Sequence, residues 1–212
     1  MTASMQRRGG APAPRSAPLA PSRADVLAEL LSSRVRAAVL GFLVARDGDR
    51  FSLTELARHL ALPVSSVQHE CYKLERLQVL RGRREGASRR YGLERETPYV
   101  RALVDLVAAV LGPAQLLAYA LGDLGGLRGS LLATSASNPL LVLIGELGLE
   151  ALEAAQERAA AILGLGVAHV DLAFFRPEEW QEHLARSHPV VERLRRAEVT
   201  VVAGDGAAIW PW

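Results

Sequence analysis

Residues 52–77 read Ser-Leu-Thr-Glu-Leu-Ala-Arg-His-Leu-Ala-Leu-Pro-Val-Ser-Ser-Val-Gln-His-Glu-Cys-Tyr-Lys-Leu-Glu-Arg-Leu, and this stretch decides the amino-terminal fold. Ser52 and Glu55 have the spacing of a capping box, in which the hydroxyl takes the N–H three residues on and the carboxylate reaches back. Leu53, Leu56, Ala57 and Leu60 follow at helical spacing, so a short helix opens here. Pro63 stands where the next helix starts. Val67, Cys71 and Leu74 form the inward stripe of that helix, over 64–77. Two helices locked at a fixed angle need a small residue at their crossing, a compact turn residue four later and an apolar anchor six after that. Ala57, Ala61 and Val67 fill those places. Such a pair suits the major groove of duplex DNA.

Upstream, helical periodicity runs from Asp25 through Leu27, Leu30, Leu31, Val35, Val39, Leu40, Leu43 and Val44. It should break at Ser32-Ser33, where a serine can cap a helix over 34–45. Residues 47–49 predict a turn, and Arg50-Phe51 one short strand. Downstream, Val79 and Leu80 lead into a hairpin with its tip at 85–88 and a returning strand that carries Tyr91 and Leu93. Arg81, Arg83, Arg84, Arg89 and Arg90 fall within ten residues of this hairpin. Strand alternation sets Arg81 and Arg83 on one side and Arg84 on the other. The outward positions of the helix over 64–77 are Ser65, Ser66, Gln68, His69, Tyr72 and Lys73. Gln68 can bond an adenine edge with two hydrogen bonds; Ser65, His69 and Tyr72 can reach bases or phosphates; Lys73 suits phosphate. A solvated hairpin beside a protein-binding surface is the plainer alternative. Cys71 lies on the buried stripe with no second cysteine, and His59 and His69 lack acidic partners at ligand spacing, so no metal is expected.

Over roughly residues 30–95 the run resembles the arsenical-resistance-repressor-like winged-helix family of bacterial transcriptional regulators. The resemblance implies a winged helix-turn-helix that reads double-stranded DNA with Ser65, Ser66, Gln68, His69, Tyr72, Lys73 and the hairpin arginines. The chain departs from the family at two places: Ala61 and Gln78 stand where glycine is usual. If the backbone has positive φ there, both residues sit in a less comfortable conformation.

Beyond Glu96-Thr97-Pro98 an apolar helix over 99–111 should end at Gly112-Pro113. It is apolar on more than one face, so it should be buried between domains or across a subunit interface. The pattern then alternates: helix 113–121, strands 127–133 and 140–145, helix 147–163, strand 167–175, helices 177–186 and 189–196, strand 199–203. That describes an α/β unit with a small, largely buried sheet. Strand–turn–strand, then helix and strand, resembles the minimal nucleotidyltransferase fold. That resemblance implies Gly-Ser after the first strand, an Asp-x-Asp entering the second and a third Asp later, which together hold two magnesium ions. Here Ser135 falls at the Gly-Ser position, Asn138 and Leu140 at the acidic pair, and Asp171 at the third acid. One carboxylate cannot balance two divalent cations, so the expectation is a catalytically silent domain without cofactor. The terminal Ile209-Trp210-Pro211-Trp212 is too apolar for a free tail and should fold back on the domain.

Charge divides along the chain. Residues 1–24 carry net +4, residues 25–96 net +3 (thirteen basic against ten acidic) and residues 97–212 net −5. The basic half faces a polyanion more readily. A single cysteine fits a reducing cytoplasm, and the first 22 residues lack the apolar core of a signal peptide. The uncharged stretch over 106–122 is interrupted by Gly112-Pro113 and Gln115, so it predicts two soluble helices and no membrane span. The expected organisation is α+β: a Pro/Ala/Arg-rich arm over 1–22, a winged helix-turn-helix over 23–96, a linker helix over 97–112, and a nucleotidyltransferase-like domain with a small mixed sheet over 113–212. The expected function is a cytoplasmic, homodimeric DNA-binding transcriptional regulator, its second half serving dimerisation or effector response. An active nucleotidyltransferase with a nucleic-acid-targeting head, or a winged-helix adaptor for protein contacts, are the alternatives.

Overall fold

The computed structural model describes residues 21–135, 137–186 and 188–211. The arm expected over 1–22 lies outside the described residues except for Pro21 and Ser22, as does Trp212. The chain is a mixed α+β protein with a three-stranded and a four-stranded sheet.

Helix α1 (Arg23–Leu30) is capped by Ser22, and α2 (Arg34–Ala45) by Ser33, whose hydroxyls accept from the N–H groups of Asp25 and Arg36. The break between them falls at Ser32, with φ 53°. Strand β1 (Phe51–Ser52) leads into α3 (Leu53–Leu60), then α4 (Val64–Arg76), β2 (Leu80–Glu85) and β3 (Ser88–Leu93). The first sheet has the order β1-β3-β2, antiparallel throughout, with Phe51 opposite Tyr91.

Helix α5 (Pro98–Leu121) is continuous except at Gly112, where φ 71° and ψ 170° break the helical path ahead of Pro113. Proline lacks the N–H that a continuous helix would use and clashes with the preceding turn, so the kink falls where the sequence places it. The helix is long and apolar enough to cross a membrane by composition alone. Within this protein it is a packing element. Val100, Val104, Val107 and Leu111 of its first part join the core formed by α1 to α4, and Leu117 and Leu121 of its second part join the core beneath the second sheet. The helix expected over 99–111 packs in the first core, and the segment after Gly112 reaches both, with Leu116 and Ala120 in the first core and Leu117 and Leu121 in the second.

The second sheet contains β4 (Leu127–Thr134), β5 (Leu140–Gly145), β6 (Asp171–Phe175) and β7 (Glu198–Ala203), in the order β6-β5-β4-β7. It is mixed: β5 and β6 run parallel, the other pairs antiparallel. Alternation along the strands supplies both faces. Leu132, Leu141 and Leu143 meet α5 and α6 (Leu149–Leu163); Leu131, Ala133, Leu140, Val142 and Ile144 meet α7 (Pro177–Ala185), α8 (Pro189–Arg195) and α9 (Gly206–Ile209). The two central strands are buried on both sides, as their near-continuous apolar sequence requires.

One expected element is corrected. Residues 167–175 are not one strand: Val167–His169 form a single 3-10 turn, and pairing starts only at Asp171. The register sets Asp171 opposite Leu140, the first residue of β5, so the residues before it have no neighbour to pair with. Of the carboxy-terminal segment, Ile209 and Trp210 pack against the second sheet. The Trp180 indole N–H donates to the Ile209 carbonyl at 2.9 Å, and Ile209 is buried.

Candidate nucleic-acid interface

The capping box forms as its spacing predicts. The Ser52 N–H donates to the Glu55 carboxylate at 2.7 Å, and the Glu55 N–H to the Ser52 hydroxyl at 3.3 Å. The backbone bond from Ser52 holds the Glu55 carboxyl below its ordinary range. Helix α3 ends at Ala61, whose φ of 51° is left-handed, and the Leu62 N–H closes the turn on the Ala57 carbonyl at 3.0 Å. Gln78, after α4, also has positive φ, 54°. Both departures from glycine therefore fall where the backbone asks for it.

On α4 the buried residues are Val67, Glu70, Cys71 and Leu74. Ser65, His69 and Tyr72 are exposed; Ser66, Gln68 and Lys73 are half-buried. The Gln68 amide donates to the Tyr72 hydroxyl at 3.1 Å, one helical turn on, so the two side chains stand as a pair on the outer face. Burial pushes the Cys71 thiol up to about 12, so it stays protonated and inert at neutral pH.

Glu70 is the surprise of this helix. The carboxylate is buried and accepts from Arg36 of α2 at 2.9 Å and from Lys73 at 3.1 Å. Burial acts to raise its pKa, but the bonds from Lys73 and Arg36 outweigh that and hold it low. The contact fixes α4 against α2 and occupies the lysine expected to meet phosphate. Sequence periodicity could have found it, since position 70 lies one residue from Cys71 on the inner stripe and faces a basic residue on α2.

The hairpin arginines divide into two groups. Arg89 binds Glu75 of α4 at 2.6 Å, and the same carboxylate oxygen accepts the Gly82 N–H at 3.0 Å. A Cβ at position 82 would come within 2.6 Å of that oxygen, so glycine lets the hairpin close on the helix. Arg81 pairs with Glu94 at 3.0 Å. Arg90 pairs with Glu55 at 3.1 Å and donates to the Arg50 carbonyl. Arg83 and Arg84, opposite Arg90 and Arg89 in register, are exposed and have no ion pair among the described residues. Arg76 shares that state at the exposed end of α4, continuing the row Ser65, His69, Tyr72 at helical spacing. Arg76 was not among the outward positions expected from sequence, although that spacing includes it.

In the second half the four positions of interest do not gather carboxylates. Asp171 is bound by the Arg193 guanidinium at 2.6 Å, which also donates to the Asn138 carbonyl at 2.6 Å. The Asn138 amide approaches Asp171 at 3.5 Å, Leu140 is buried in the sheet, and the Ser135 hydroxyl bonds that of Ser137 at 2.8 Å. Among the described residues no three His, Cys, Asp or Glu side chains come together as a metal site. A guanidinium sits where a cation would otherwise approach Asp171.

No family model matches the chain, and no curated protein matches it. Among solved structures, reduced HlyU from Vibrio cholerae N16961 aligns over 42% of this chain and 87% of its own, at 24% identity and a TM-score of 0.33. Overlap that slight decides neither fold nor function. None of these comparisons supports a relation to nucleotidyltransferases.

Proposed function

We propose that this protein is a cytoplasmic DNA-binding transcriptional regulator whose α2–β3 region is a winged helix-turn-helix. Helix α4 lies in the major groove, with Gln68 and Tyr72 toward base edges, and the β2–β3 wing sets Arg83 and Arg84 on flanking phosphates. The observation that carries this reading is one polar, solvent-facing helix flank together with three exposed guanidiniums, Arg76, Arg83 and Arg84, that have no carboxylate partner among the described residues, where most other arginines are paired. Phosphate contacts of this kind make affinity fall steeply with salt. A mobility-shift assay on mixed genomic fragments at low and moderate salt tests it. The expected result is a shift that weakens as salt rises, and no shift at low salt refutes the reading.

The protein acts as a homodimer. Val26 and Leu30 on α1 and Tyr99 and Leu106 on α5 are large apolar side chains left exposed, and a two-fold contact would cover them twice over. The second half is a nucleotidyltransferase-like scaffold without catalytic function, serving dimerisation or effector response. What supports its silence is the single carboxylate Asp171, already neutralised by Arg193. Incubation with labelled nucleoside triphosphates and Mg²⁺ tests this, and labelling of any acceptor overturns it.

A further inference from the structure

A cleft of about 600 Å³ lies where the end of α2 and its following turn meet α5 and α6. That volume falls within the range of about 300–1,000 Å³ typical of small-molecule sites. Its inner wall is aliphatic: Val104, Ala108 and Leu116 of α5, and Ile162 of α6. Its rim is charged, and one of the charges is not paired.

Every guanidinium around the cleft is already neutralised. Arg46, nearly buried at the end of α2, binds Asp49 at 2.9 Å and Asp123 at 2.6 Å. Arg158 of α6 binds the other oxygen of Asp123 at 2.7 Å, and Arg95 binds Asp47 at 2.8 Å. Of the carboxylates that line the cleft, Asp47 and Asp49 are held in these pairs, which leaves Glu157. Glu157 is exposed on the α6 wall and has no ion pair among the described residues. An anionic ligand would have to displace an internal carboxylate from a formed pair, whereas a cation meets an unpartnered one beside an aliphatic surface that it can cover.

We infer that this cleft binds a lipophilic monocation, its apolar body on the α5–α6 wall and its positive centre held by Glu157. A ligand there touches both halves of the molecule at once, since Arg46 belongs to α2 and Glu157 to α6. The binding claim is independent of whether the protein binds DNA.

Two probes of nearly equal shape and opposite charge, tetraphenylphosphonium and tetraphenylborate, test it by isothermal titration on the full chain. Saturable binding of the phosphonium at least about tenfold tighter than the borate is expected, the ratio a single close charge readily supplies. Glu157→Arg, on an exposed surface, should reverse that preference. Ala108→Trp, which fills the cleft, should abolish binding of both probes, with thermal unfolding as the check on folding. Equal affinity for the two probes, or a preference unchanged in Glu157→Arg, overturns the inference. So does undiminished phosphonium binding in a folded Ala108→Trp.

Discussion

The outer face of α4 with the β2–β3 hairpin and the seam around Asp123 are both rich in arginine, yet they use it in opposite ways. At the seam the guanidiniums of Arg46 and Arg158 converge on one carboxylate whose side chain is largely covered, and each is spent inside the protein. On the hairpin, Glu75, Glu94 and Glu55 hold Arg89, Arg81 and Arg90 in place, and Arg83 and Arg84 are left to the solvent. Counting arginines therefore says little about binding, and counting the unpaired ones says more. The carboxylates of α3 and α4 act as frames: by fixing some hairpin arginines they fix the direction in which the others project.

Breaking the seam should have the largest effect. Asp123→Ala leaves Arg46, with its side chain 8% exposed, one partner short, and removal of one member of a partly buried pair costs about 2–3 kcal/mol. Urea denaturation measures it. Burial would raise the Asp123 carboxyl, but Arg46 and Arg158 hold it below its ordinary 3.8. A depressed folded pKa means that the stabilisation is complete above the ordinary value and is lost as pH falls through the folded one. The wild type should therefore lose stability on acidification below about pH 4 more steeply than Asp123→Asn. Parallel profiles would show that the seam contributes nothing beyond packing.

On the other side of the comparison, Arg83→Ala with Arg84→Ala should leave the fold intact and lower DNA affinity roughly tenfold at low salt. The slope of log affinity against log salt should fall by about two for the two phosphates lost. The loss should be equal on all sequences, because phosphates carry no base information. Arg81→Ala, which removes an internally paired arginine, should change the salt slope less, and equal slopes for the two variants would erase the distinction between framed and free arginines.

How much of this was legible in the sequence follows from the range of the interactions involved. The caps at Ser33 and Ser52, the kink at Gly112-Pro113 and the strands β4 and β5 depend on residues a few positions apart, and each falls within a residue or two of its expected place. Position 171 shows the limit: alternation alone extended the strand back to 167, whereas its real start depends on where β5 begins, 31 residues earlier. The candidate interface divides in the same way. Which α4 residues face outward follows from helical spacing, and Lys73 is held by Glu70 on its own helix, but Arg81, Arg89 and Arg90 of the hairpin are sorted by carboxylates outside it. Glu55 lies 35 residues from Arg90, and no local pattern reveals that contact. That positions 138 and 140 carry Asn and Leu was readable directly, and the Arg193 bond to Asp171 came only from the folded chain.

Gln68 sharpens the reading of the outer face. If its amide contacts one base, Gln68→Ala should cost about 1–3 kcal/mol on the preferred site and little on random DNA. Competition binding with the two DNAs measures the difference. Tyr72→Phe, which removes the hydroxyl that accepts from Gln68, should lower the same preference by a smaller amount, since the amide is then free to reorient. Uniform weakening by Gln68→Ala on both DNAs would move Gln68 to the phosphate-contacting set.

The smallest effect concerns the turn between α3 and α4. Ala61 holds a left-handed conformation that costs a residue with a Cβ about 1–2 kcal/mol. Ala61→Gly removes that cost but gives the unfolded chain more freedom, which returns about 0.5–1 kcal/mol. The net expectation is a gain of roughly 0.5 kcal/mol, read as a small rise in the urea midpoint at constant slope. Because the turn sets the angle between α3 and α4 while Gln68 and Arg83 lie elsewhere, DNA affinity should stay unchanged. A loss of affinity accompanying the gain in stability would mean that the strained alanine holds α4 at the angle the groove requires.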